Sequence, residues 1–85
     1  MNTKQERTLR AIFEIPTRSD IRYSDLMSLF KALGGKVQER SGSRVAVKLG
    51  ERKFSLHRPH PGQIIGKKTV EDIRSRLIGL GIEVD

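Results

Sequence analysis

His57 and His60 lie three residues apart in the segment Leu56-His57-Arg58-Pro59-His60-Pro61, and the chain holds no other histidine. Histidine ionises near neutrality, so at physiological pH its ring can take a proton and give one back. Cations crowd the same stretch of chain, with Arg44, Lys48, Lys53 and Arg58 before or beside the histidines and Lys67 and Lys68 after them. A proton-transfer group among fixed positive charges suits chemistry on an anionic polymer. Packing a core would not call for that combination.

The charge distribution sharpens this reading. The 85 residues carry a formal net charge of +7. Residues 1–33 hold six Lys/Arg against four Asp/Glu, residues 34–68 nine against two, and residues 69–85 two against four. The local balances are therefore +2, +7 and −2, and the whole excess sits in the middle of the chain. Such a patch attracts phosphate backbones or an acidic protein surface. On its own it also describes an ordinary solvated basic face.

Composition excludes several classes. Cysteine is absent, which removes disulfides and thiolate metal sites. The histidines have no acidic or cysteine companion at ligand spacing, so neither a metal nor another cofactor is expected. Residues 1–10 are polar and lack the apolar stretch of a signal peptide. No apolar run approaches the roughly 20 residues that span a bilayer. A cytoplasmic protein without membrane association is the expectation.

The elements that must position the histidines can be read from periodicity. Residues 4–14 predict a helix with Leu9, Ile12 and Phe13 on one face, ended by Pro16. A second helix is expected from about Ser24, with Tyr23 or Ser24 at its start. Its stripe is Leu26, Leu29, Phe30 and Leu33, and Gly34-Gly35 closes it. Tyr23 and Phe30 read as core rather than as surfaces for stacking bases. Residues 36–40 predict an edge strand, and Ser41-Gly42-Ser43 a turn.

Residues 44–49 and 52–57 alternate, with Val45, Val47, Leu49, Phe54 and Leu56 on one side. A two-residue loop at Gly50-Glu51 pairs Lys48 with Lys53, Val47 with Phe54, Val45 with Leu56 and Arg44 with His57. Arg44 and His57 then share the open face with their Cβ atoms about 5 Å apart. That face has no aromatic residue, so it is no stacking platform for single strands. Pro59, Pro61 and Gly62 form a stiff exit loop. Thr69 predicts the N-cap of a last helix, with Asp72 completing a capping box, Val70, Ile73, Leu77 and Leu80 on its apolar face, and Gly81 at its end.

The order is α, α, β, β, β, α. Without the first helix it is α-β-β-β-α, an α+β, double-stranded-RNA-binding-domain-like layout in which two helices cover one face of an antiparallel meander. At this point the chain resembles the HicA toxins. The residues that carry the likeness are Ser24-Asp25-Leu26 to Gly34-Gly35, Gly42-Ser43-Arg44-Val45-Ala46-Val47, Arg58-Pro59-His60-Pro61, and Gly66-Lys67-Lys68-Thr69-Val70 to Gly81-Ile82. The likeness runs over roughly residues 22–82, which leaves residues 1–20 as an N-terminal helical extension and 21–85 as the HicA-like domain.

The resemblance implies a toxin of a type II toxin–antitoxin system. Such a toxin would be an endoribonuclease acting on mRNA, an mRNA interferase, and would be held in check by a HicB-type antitoxin protein. The family pattern has Gly-Ser-His before an apolar strand, and its histidine is the residue of catalysis. Here that position is Arg44. His57, directly across the strand pair, is the expected replacement as general base. Arg44, Lys48, Lys53, Arg58, Lys67 and Lys68 are the expected RNA phosphate ligands. His60 falls on the histidine of the family's exit loop, where a loop-ordering role or a secondary catalytic one is open. The same residues also suit a non-catalytic RNA-binding or antitoxin-interaction module.

Overall fold

A computed structural model describes residues 1–84; Asp85, the end of the expected second unit, lies outside the described residues. The elements are α1 (Thr3–Phe13), α2 (Tyr23–Ala32), β1 (Lys36–Glu39), β2 (Arg44–Leu49), β3 (Arg52–His57) and α3 (Lys67–Gly79). The strands form one antiparallel sheet in the order β1-β2-β3. The α+β layout expected from the sequence is therefore the one observed, with an added N-terminal helix.

The hairpin register is the expected one in every pair, from Leu49 opposite Arg52 to Arg44 opposite His57. Gly50 has a φ of +59°, and among the described residues no non-glycine residue has a positive φ. A positive φ at the first central residue alone is the pattern of a type II′ turn, whose twist matches the strands it joins. Val45, Val47, Leu49, Phe54 and Leu56 are all buried on the helix-covered side. Phe30 of α2 meets Phe54 of β3 edge to face, with centroids 5.9 Å apart.

The second helix starts at Tyr23, one of the two expected starts, whereas the third starts earlier than the sequence reading has it. The N-cap of α2 is Arg22, which makes no side-chain capping bond. The exit loop supplies the missing acceptor: the Tyr23 N–H donates to the Gln63 carbonyl at 2.7 Å, and the Ile65 N–H donates to Ile21 at 2.8 Å. A distant backbone carbonyl thus does the work of a local Ser or Asp cap. In α3 the cap is Gly66, not Thr69, and the helix begins at Lys67. Gly66 adopts extended cap geometry, with ψ at 153°. The lysines that follow are good helix formers, so nothing delays the helix to Thr69. Lys67 and Lys68 consequently form its first turn instead of preceding it.

The first helix is built into the rest. Its N-terminus carries a reciprocal capping box between Asn2 and Gln5. Leu9 and Ile12 belong to the same buried cluster as Leu26, Leu29, Val45 and Leu77. Arg74 of α3 donates to the Ile12 carbonyl at 2.7 Å, the Glu14 carbonyl at 2.9 Å and Thr17 Oγ1 at 2.9 Å. A guanidinium thereby answers the open carbonyls at the end of α1, where a cation is favoured.

Ile12 is 1% exposed. Ile12→Ala is expected to lower the unfolding free energy by about 2–5 kcal/mol, the usual effect of emptying such a site. Denaturant unfolding followed by circular dichroism measures this. A loss under about 1 kcal/mol, the range of an exposed position, would mean that α1 only leans on the domain.

Candidate nucleic-acid interface

The open face of the sheet follows from strand alternation. Arg44, Lys48, Lys53, Ser55 and His57 all project there and are exposed. The register also lays Lys36 beside Lys48 and Lys48 beside Lys53, so three lysines stand side by side across the strands at the turn end. At the opposite end Arg44 faces His57, and between the two ends lie Ala46 and Ser55. Strands about 4.8 Å apart give the lysine row a width of about 10 Å. Like charges placed directly across a ladder oppose folding. The row is therefore not explained by stability, and an anion on it would relieve the repulsion.

Ser43 and the end of β3 fix the place of His57. The Arg58 N–H donates to the Ser43 carbonyl at 2.6 Å, which continues the ladder one step beyond the strand pair. Ser43 Oγ then stands 3.5 Å from His57 Nδ1, a long contact that occupies that side of the ring. Nε2 lies on the other side of the ring from that contact. Neither Ser43 nor Lys36 was singled out from sequence, although extending the register by one residue, and across to β1, would have found both.

Arg58 goes elsewhere. Its guanidinium pairs with Glu39 Oε1 at 3.0 Å and lies 5.3 Å from the ring centre of Tyr23. Burial is the main cause that raises the Tyr23 phenol above its usual pKa, with the Glu39 carboxylate adding to it and Arg58 opposing. Arg58 thus ties β3 to β1 and to the start of α2, on the side of the sheet away from His57. The side chains of Arg44, Lys48 and Lys53 have no hydrogen bond or ion pair among the described residues.

His60 and His57 line one open hollow of about 1000 Å³, between the exit loop, the end of the sheet and the beginning of α3. Ser43, Gly66 and Thr69 contribute to its wall, whereas Lys67 and Lys68 do not. A second depression of about 650 Å³ lies on the sheet face and includes Arg40, Arg44 and Ser55. His57 and Ser43 line both, so the histidine stands on the divide between the cationic sheet and the loop hollow. Among the described residues no group of three or more His, Cys, Asp or Glu could hold a metal ion. No helix among them is long and apolar enough to cross a membrane.

A three-stranded meander with helices on one side and an open cationic face on the other defines a small α+β domain with the layout of double-stranded-RNA-binding domains. Residues 23–80, from the first residue of α2 through the end of α3, match the family "HicA toxin of bacterial toxin-antitoxin", and the chain belongs to that family. No curated protein and no solved structure matches it at a significant level.

Two arginines should separate by their partners. Arg44→Ala is expected to leave unfolding free energy within about 0.5 kcal/mol, as an unpartnered surface residue does. Arg58→Ala is expected to cost about 1 kcal/mol, from an exposed ion pair and a cation–π contact. Urea unfolding of both variants decides it, and equal stabilities would refute the assigned division of roles.

Proposed function

We propose that this toxin is a metal-independent endoribonuclease acting on mRNA, with His57 as general base. The observation that supports the reading most is the cross-strand pair Arg44–His57 on the open cationic face, with Ser43 at His57 Nδ1. RNA carries its own nucleophile, the 2′-hydroxyl. Nε2 of His57 takes that proton as the 2′-oxygen attacks phosphorus, and the bond to the 5′-oxygen breaks. The products are a 2′,3′-cyclic phosphate and a 5′-hydroxyl end.

Arg44 supplies fixed positive charge where the phosphorane develops negative charge. Lys48 and Lys53 hold the strand by its phosphates, and Lys67 and Lys68 meet it from the first turn of α3. Arg58 can join them only by leaving Glu39. A HicB-type antitoxin would silence the protein by laying acidic surface over the same cations, in the cytoplasm. A second reading has its own support: Arg44 stands where the family pattern carries its histidine, and a domain that binds RNA without cutting it would also have this face.

Incubating RNA with the protein in a chelator decides between the two readings. Cleavage to cyclic-phosphate ends is expected without added metal. His57→Ala should lower the rate by about 10²–10⁴-fold, the usual share of general base catalysis. Bound but intact RNA would establish the non-catalytic reading, and activity restored only by magnesium or zinc would refute metal independence.

Arg44→Ala should weaken RNA binding and reduce the slope of log K against log salt by about 1, since one phosphate contact is lost. Fluorescence anisotropy titrations from low to physiological salt measure this. An unchanged slope would remove Arg44 from the phosphate ligands.

A further inference from the structure

We infer that His60 is the second catalytic residue of the cleavage, the general acid that protonates the leaving 5′-oxygen. The inference rests on the ribonuclease reading and extends it from one proton transfer to two. The reaction releases an alkoxide unless a proton reaches the 5′-oxygen as its bond to phosphorus breaks. An alkoxide is a poor leaving group, because the hydroxyl it comes from is about as weak an acid as water. His57 cannot serve both oxygens in one step, because they lie on opposite sides of phosphorus in an in-line displacement.

The placement of His60 fits the missing role. It lines the same hollow as His57, from the exit loop three residues further along the chain. The residue is exposed, and among the described residues its ring has no hydrogen-bond partner, so no contact there explains it as a loop-ordering group. Three residues of chain reach at most about 10–11 Å between Cα positions. A phosphate held by one hydrogen bond of about 2.8 Å on each side fits within that reach. The hollow is roomy enough for a nucleotide phosphate, and it opens onto the sheet face at His57, where Arg44 stands. An RNA strand entering from the cationic sheet would thus meet the base first and the acid beyond it.

The step balances without a further reactant. The 2′-oxygen gives its proton to His57 and bonds to phosphorus. The bond between phosphorus and the 5′-oxygen breaks, with its electron pair leaving on oxygen. His60 gives its proton to that oxygen. Solvent later returns a proton to His60 and removes one from His57.

The test replaces the bridging 5′-oxygen at one cleavage site with sulfur. A thiol has a pKa of about 8.5, so the thiolate leaves without protonation. The full chain and its His57→Ala, His60→Ala and His60→Gln variants are assayed on the oxygen and the sulfur RNA, with circular dichroism confirming the fold. Both His60 variants are expected to lose about 10²–10⁴-fold on the oxygen substrate and to stay within about threefold of the unaltered protein on the sulfur one. His57→Ala should fail on both. His60 variants that are folded and impaired equally on both substrates, or on neither, would overturn the general-acid role. If the His60 variants are rescued by sulfur while His57→Ala remains active, the acid stands and the base assignment falls. An unaltered protein that cuts neither substrate overturns the ribonuclease reading, and this inference with it.

Discussion

Every candidate site side chain on the sheet depends on a single parity, set by the two-residue turn at Gly50-Glu51. Side chains alternate along a strand, so a one-residue slip between β2 and β3 would send Lys53 and His57 into the core and Phe54 and Leu56 into water. Five buried apolar residues on one side hold the register, and the positive φ of Gly50 closes it at the right length. The core is thereby the device that exposes the cations. Arg44, Lys48, Lys53 and His57 need no contacts of their own to be held on the open face.

The exit loop is held by a different interaction. Gln63 and Ile65 exchange backbone hydrogen bonds with Tyr23 and Ile21, forming a short antiparallel bridge in which Arg22 faces Ile64. The same bonds satisfy the start of α2, which has no side-chain cap. Arg58, paired with Glu39 and lying over Tyr23, anchors the loop at its other end. His60 therefore rides on a segment fixed both before and after it. That matters for any group that must meet a reacting atom, since a misplacement of 1 Å can cost a hundredfold in rate.

These two systems were not equally legible in the sequence. The hairpin could be read because it is local: period-two alternation and a Gly-Glu loop leave one register that segregates apolar from charged residues. Phe30 and Tyr23 were legible as core for the analogous helical reason. The bond that holds the beginning of α2 was not, because its acceptor is the carbonyl of Gln63, forty residues downstream. Thr69 misled because a good cap residue is also tolerated inside a first turn, and Gly66 was free to take the cap geometry. Arg58 looked like a neighbour of His57, yet adjacent residues near a strand end face opposite ways, and Glu39 and Tyr23 wait on the other side. The docking of α1 through Arg74 joins residues about sixty positions apart, and no local pattern announces it.

The row Lys36–Lys48–Lys53 bears on how such a toxin could be restrained. Three ammonium groups placed side by side repel one another in the free domain, and water and salt only partly screen them. Any surface that brings negative charge to the row recovers that repulsion as binding free energy, whether the charge is carried by phosphates or by carboxylates. On the proposed reading, RNA and an acidic antitoxin therefore draw on the same electrostatic source and cannot both occupy it. Arg44 lies on that shared face, whereas His60 lies around the divide in the loop hollow. A partner covering only the sheet would then block the sheet's phosphate ligands and the base together and need not touch the second histidine. Silencing would be a matter of occupying charge rather than of disabling the proton donor.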